Sequence, residues 1–343
     1  MIDITVILPL FNGGQYLRDA VLSVEESNSD ISIELLIVDD GSTDNSLSVA
    51  QALTKEYSNI VVLSKQNGGI ASARELGLKN SNGRYITFLD QDDRVISGYS
   101  SFIRQMEDKQ ADILMSDPFY SRHGNVQKSN TIKEDRLYEK EDCLNMGRML
   151  FCPEVFTPVD AEKRHLISVT STVWNCIFSK QFIVNNNLHF QSNVRFEDDW
   201  IFIGQSLGCC SRLMVTSYSF YCWTINNDSE SHSTKYVQDM FTKRKRHKEL
   251  LMNLVSNMGA NESQLQGFEH ILDAQTIIIC GKNAMLLPLK NYREEIKQLK
   301  SFGDLRKYSD FKVGKLSSFY LSLWNLGWYG SSYVLNRIIR SIG

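Results

Sequence analysis

Gly83-Arg84-Tyr85-Ile86-Thr87-Phe88-Leu89-Asp90-Gln91-Asp92-Asp93 is the stretch on which the fold turns. Tyr85 to Leu89 is a short apolar run, long enough for a buried strand, and it stops abruptly in carboxylates. A strand ending this way sets hard oxygen ligands at the rim of a sheet, where Mn²⁺ or Mg²⁺ keeps positions open for water and phosphate. Capping of a following helix is the competing use of such an acidic turn. Three more strand signals precede it: Ile4 to Leu10, Ile33 to Val38 and Ile60 to Leu63. Helical stretches lie between them, roughly Gly14 to Glu26, Asp44 to Tyr57 and Ala71 to Lys79. That alternation predicts an α/β domain with βαβ units and a parallel sheet covered on both faces. Ligands of such sheets bind beyond the carboxyl ends of the strands, where Asp39, Asp40, Asn67 and Asp90 fall. Neither a P-loop lysine signature nor GxGxxG is present, so ATP-type and dinucleotide cradles are not supported.

The 343 residues are 42% hydrophobic and 22% charged, values of an ordinary globular chain with room for one large domain or two smaller ones. With 37 basic and 40 acidic residues the chain lacks the excess of positive charge that a dedicated nucleic-acid binder carries. The seven cysteines include Cys209-Cys210 but no CxxC, so neither a disulfide framework nor a zinc cluster is suggested. No basic leader with a cleavage site precedes the first apolar run, and a reducing cytoplasm is the expected compartment. Charge is unevenly spread. Residues 1–226 hold 20 Lys+Arg against 29 Asp+Glu, and residues 227–343 hold 17 against 11. The expected division is therefore a catalytic domain over 1–226 and a helical region over 227–343.

The front of the chain resembles glycosyltransferase family 2, whose members have the GT-A fold, a Rossmann-like architecture that binds nucleotide-sugars. The resemblance rests on Pro9-Leu10-Phe11-Asn12, Val38-Asp39-Asp40-Gly41-Ser42-Thr43-Asp44, Asn67-Gly68-Gly69 with Ala73-Arg74, and the Gly83–Asp93 stretch. It covers the first 95 residues closely and continues less tightly to about residue 225. It implies that Asp40 accepts from a uracil ring and that Pro9 lies in the segment lining that base. Asn12, Asn67 and Gln91 belong to the same nucleotide-sugar site, and Arg74 resembles a basic residue near the nucleotide. Asp90 and Asp92 form a DxD motif, Asp90 toward the ribose and Asp92 toward a metal on the diphosphate.

The resemblance also implies a catalytic pair in Phe196-Glu197-Asp198-Asp199-Trp200. Asp198 is the candidate general base, and Glu197 would orient it or contact the acceptor. A base that acts directly, with no covalent intermediate, inverts the anomeric carbon. Stabilisation of the positive end of a helix is the competing reading of these three acids. Trp174, in Trp174-Asn175-Cys176-Ile177, resembles a segment flanking donor sugar and acceptor; it would stack on a pyranose ring or fill the core. Cys176 stands where many relatives have lysine. His232, within Ser229–Thr234, resembles a position on a loop over the diphosphate and is the second candidate metal contact.

Behind the catalytic domain the chain reads as helices, about Tyr236 to Met258, Glu262 to Leu286 and Asn291 to Lys300. From Phe311 to Gly343 there are four basic residues and no acidic one. On a single helix Ser318, Ser322, Asn325, Tyr329, Ser332, Asn336 and Arg340 would share one face, opposite a wide aromatic and aliphatic one. An interfacial helix on an anionic membrane is expected, with packing or dimerisation as the other use. The reading as a whole is an inverting, metal-dependent glycosyltransferase, peripheral on the inner face of the cell membrane. It would carry a sugar from a nucleotide donor, a UDP-sugar, to a hydroxyl of a surface glycan or lipid-linked acceptor. A haloacid-dehalogenase-like phosphatase, suggested by Phe88–Asp92, and a non-catalytic nucleotide-sugar-binding protein are the alternatives.

Overall fold

The computed structural model describes residues 1–27, 30–122, 124–152, 155–156, 172–191, 197–225, 236–308 and 314–342. Two compact units divide the chain, Met1–Ser229 and Glu230–Gly343.

In the first unit the strands are β1 (Ile4–Leu10), β2 (Ile33–Asp39), β3 (Ile60–Ser64), β4 (Tyr85–Phe88), β5 (Arg94–Val95) and β6 (Ile113–Ser116). They continue with β7 (Phe119–Arg122), β8 (Asn125–Lys128), β9 (Arg136–Glu139), β10 (Cys176–Ser179), β11 (Arg212–Thr216) and β12 (Tyr221–Thr224). Eight of them form one sheet in the order β3-β2-β1-β4-β10-β6-β11-β9. Neighbours among β1 to β4 run parallel, β10 enters antiparallel between β4 and β6, and β11 runs parallel to β6. The carboxyl ends of β1, β2, β3, β4, β6 and β11 therefore share one edge. A smaller sheet, β5-β12-β7-β8, completes the described strands of this unit.

Strand residues point to alternate faces, and here both faces are apolar. Ile7, Phe88, Ile113, Met115 and Phe178 join one buried cluster, while Val6, Leu8, Leu114, Ile177 and Met214 join another. That is why β1 reads as an unbroken apolar run: all seven of its residues are buried. The helix Gly14–Ser27 covers one face with Leu17, Ala20, Val21 and Val24, spaced as an apolar stripe requires. The helix Asp198–Cys209 covers the other, with Phe202 stacked 4.2 Å from Phe190. Each fully buried aliphatic side chain contributes about 1.5–3 kcal/mol.

The second unit contains the helices Met240–Asn257, Glu262–Ala284, Leu289–Leu299, Gly314–Asn325 and Tyr329–Ile342. Asn261 and Gln264 form a reciprocal capping box that starts the second of these. The terminal segment corrects the single-helix expectation. Gly327 takes a left-handed φ of 77°, and its N–H and that of Trp328 donate to the carbonyls of Trp324 and Leu323. This is a Schellman ending, which satisfies the last carbonyls and breaks the helix. The polar face counted along one helix therefore does not exist. Ser332 is instead buried, 2.5 Å from the Tyr292 hydroxyl, and Trp324 donates its indole N–H to that same oxygen at 2.7 Å. Gly281 makes room for Trp324, since a Cβ there would lie 2.0 Å from the indole ring.

Candidate active site

The loops after β1, β2, β3 and β4 meet at the shared strand-end edge. Asn12, at a left-handed φ of 49°, accepts from the Thr43 amide at 2.8 Å, while its own amide donates to Ser42 Oγ at 3.0 Å. Gln91 accepts from the Phe11 amide at 2.9 Å and lies over Gly13, where a Cβ would come within 2.2 Å of it. Asn12 and Gln91 thus knit three loops together with their side chains. Pro9 is buried within β1.

Asp40 is buried beside Lys65. Its carboxylate accepts from Lys65 Nζ at 2.6 Å, from the Gly68 amide at 3.0 Å and from the Gly69 amide at 2.7 Å. Gly41 is required next to it: φ is 74°, and a Cβ would sit 2.8 Å from the Asn67 nitrogen. Asn67 is exposed on the rim of this corner. Sequence reading missed Lys65, although a basic residue just past β3 was a usable signal, because β3 neighbours the strand that ends in Asp39.

The Arg74 guanidinium is 2% exposed and turned inward onto three carboxylates. Nη2 donates to Asp90 at 2.9 Å, and Nη1 donates to Asp198 at 2.9 Å and also to Asp199. The ring of Phe190 lies 5.9 Å from the guanidinium carbon. Three acids around one cation leave an excess of negative charge in a poorly solvated place. Burial pushes the Asp199 carboxyl up to about 7, with Asp198 and Asp90 adding to the shift and Arg74 opposing it. Glu197 precedes the helix at a left-handed φ of 70° and is exposed, whereas Asp198 is buried. Asp199, singled out in the sequence only as the extra acid of the triplet, is a full member of the cluster.

A second tie fixes the residue after Asp92. Asp93 accepts from the Tyr221 hydroxyl and from the Thr224 amide, the latter at 2.6 Å. Burial, then the neighbouring Asp90 and Asp92, raise its carboxyl well above the usual range. Trp174 stacks on Tyr221 with centroids 4.5 Å apart and is 9% exposed. Of its two expected uses, the core one describes its placement. Cys176 is buried and its thiol is pushed up by that burial.

Among the described residues no three His, Cys, Asp or Glu side chains gather to hold a metal ion. Asp90 is committed to Arg74, and Asp92 stands partly exposed at the same strand end. This donor set suits a hard divalent ion that takes most of its ligands from phosphate and water, as Mg²⁺ does. His232 lies outside the described residues.

Residues 5–162 match the family model described as Glycosyl transferase family 2. This domain belongs to glycosyltransferase family 2. A glycosyltransferase of Bacillus subtilis, EpsJ, is 27% identical over 228 residues, which are 66% of this chain and 62% of that protein. The chain thus spans less than two thirds of that relative. The cholesterol galactosyltransferase of Borreliella burgdorferi is 26% identical over 341 residues, 94% of this chain and 92% of its own. TarS of S. aureus, solved in complex with UDP-GlcNAc, superposes with a TM-score of 0.60 at 15% identity, over 99% of this chain and 92% of that one. At that identity the likeness shows the fold alone, and the fold is GT-A. Nothing favours the phosphatase alternative.

Proposed function

We propose that this glycosyltransferase moves one sugar from a UDP-sugar to a hydroxyl of a surface glycan or lipid-linked acceptor, with inversion. The observation that carries the reading is the Arg74 cluster, in which Asp90 at the end of the β4 segment meets Asp198 and Asp199, more than a hundred residues later, around one guanidinium. Donor-side and acceptor-side acids of the expected roles are thereby close together. Asp198 takes the proton of the acceptor hydroxyl, and that hydroxyl's oxygen bonds to the anomeric carbon as the bond from that carbon to the diphosphate breaks. The electron pair leaves with the nucleoside diphosphate. Asp92 would hold a divalent ion such as Mn²⁺ or Mg²⁺, which would supply positive charge to stabilise the leaving group.

Support for a uridine donor comes from TarS, whose structures hold UDP and UDP-GlcNAc. The uracil is assigned to the Asp40 corner, where three donors use only part of the roughly four lone-pair sites of a carboxylate. An acceptor with a lipid part is supported by the Borreliella relative, which by its name glycosylates cholesterol and matches along nearly the whole chain. Saturation-transfer NMR against a panel of nucleotide-sugars tests the donor, followed by release of nucleoside diphosphate from the one that binds. Binding of a UDP-sugar with metal-dependent turnover is expected. Binding without turnover on any glycan or lipid acceptor would leave a binding protein and end the proposal.

A further inference from the structure

Among the described residues fifteen large apolar side chains are exposed, and seven of them lie between residues 316 and 339: Leu316, Phe319, Leu326, Trp328, Val334, Ile338 and Ile339. The break at Gly327 explains the two most prominent. Closing the helix there puts Leu326 and Trp328, 59% and 60% exposed, on either side of a tight turn. The helices flanking the turn are anchored from behind by Tyr320, Leu321, Trp324 and Tyr333, all buried in the core of their unit. The exposed set is thus not a loose tail; it is carried on packed helices.

One occupant suits this face. Lys315 and Arg337 are exposed on the same two helices, and the segment 311–343 contains no Asp or Glu. Apolar side chains interleaved with cations, and a tryptophan at the tip of a turn, match a bilayer surface with anionic headgroups. A second copy matches less well. A two-fold interface sets the same patch against itself, which would bring like charges together with no acid in the segment to pair them. No helix among the described residues is long and apolar enough to cross a membrane, so contact at the surface is the mode left to this patch.

We infer that the turn Leu326–Trp328 and the exposed faces of Gly314–Asn325 and Tyr329–Ile342 dock this protein on an anionic lipid surface. A lipid-linked acceptor would then meet the enzyme there, but docking does not depend on the donor chemistry. The probe is co-sedimentation of the full chain with phosphatidylcholine vesicles, with and without phosphatidylglycerol. Binding is expected only with the anionic lipid, weakening as salt rises. Leu326→Ser with Trp328→Ser should lower the partition coefficient ~10-fold or more, with far-ultraviolet dichroism and the thermal midpoint retained. Lys315→Glu with Arg337→Glu should lower it ~10-fold without removing any of the seven exposed apolar side chains. Unchanged binding in both variants overturns the proposal. So does a dimer in sedimentation velocity that the Leu326→Ser/Trp328→Ser variant dissolves, since a second copy would then own the face.

Discussion

The Arg74 cluster and the carboxy-terminal helices break the usual distribution of side chains in opposite directions. Around Arg74 three carboxyl groups gather at the edge of an apolar sheet, Asp198 buried with the guanidinium and Asp90 and Asp199 half-buried. Along 316–339 large apolar groups are left in water on helices whose other faces are packed. Both arrangements cost stability, and folding alone requires neither. Buried charge of one excess sign is where proton chemistry is tuned, and an exposed apolar patch with cations is where a surface binds. Within each region the same residue type also serves two ends: Trp324 is buried in its unit's core, and Trp328, one short turn later, is exposed.

If this contrast is right, the largest loss follows removal of the buried cation. Arg74→Ala leaves three carboxylates without their common partner and should cost about 3–5 kcal/mol, read as a lower denaturant midpoint. A change below about 1 kcal/mol would mean that the cluster is solvated and the comparison fails. Trp324→Ala should cost a similar ~3–5 kcal/mol, because the cavity opens inside a packed core.

Smaller in energy but sharper in meaning is the proposed catalytic pair. Asp198→Asn keeps shape and removes the ability to take a proton, so transfer should fall on the order of a hundredfold, about 2.7 kcal/mol, with affinity for UDP plus metal unchanged. Glu197→Gln and Asp199→Asn should retain more activity at saturating donor. Were Asp199→Asn the inactive variant, the base would be the neighbouring acid.

Acidity supplies the next test. The Asp199 carboxyl is held near 7 in the folded chain, against an ordinary 3.8. A folded value above the unfolded one contributes stability that is complete below about pH 4 and is lost as pH rises toward 7. Asp199→Asn lacks that loss, so its stability relative to the parent should improve between pH 4 and 8 by about 2 kcal/mol, allowing for partial solvent screening. A gap that stays constant across that range would show that Asp199 ionises normally. The smallest effect belongs to the exposed turn: Trp328→Ser should shift stability by less than about 0.5 kcal/mol, however strongly it affects vesicle binding. A loss as large as that of Trp324→Ala would mean that Trp328 is core and the surface reading is wrong.

Much of the first unit was legible in the sequence for a simple reason. Strands buried on both faces must be apolar throughout, and their polar ends mark where the sheet meets water, so β1 to β4 and the acids beyond them could be read from local patterns. The Glu197–Asp199 triplet could be read as the start of a helix for the same reason. Direction of side chains could not be read this way. Whether Arg74 faces a ligand or three acids depends on residues more than a hundred positions away, and Lys65 meets Asp40 only because β3 lies beside β2. Periodicity likewise ran straight through Leu326-Gly327-Trp328, because a helical wheel assumes an unbroken axis. The turn is set by a single glycine in the left-handed region and by the seat that Gly281 and Tyr292 provide for Trp324. Local patterning thus determined which segments are buried and where polar chemistry could stand. Long-range packing alone decided which charges share a site and which aromatic ring is left facing water.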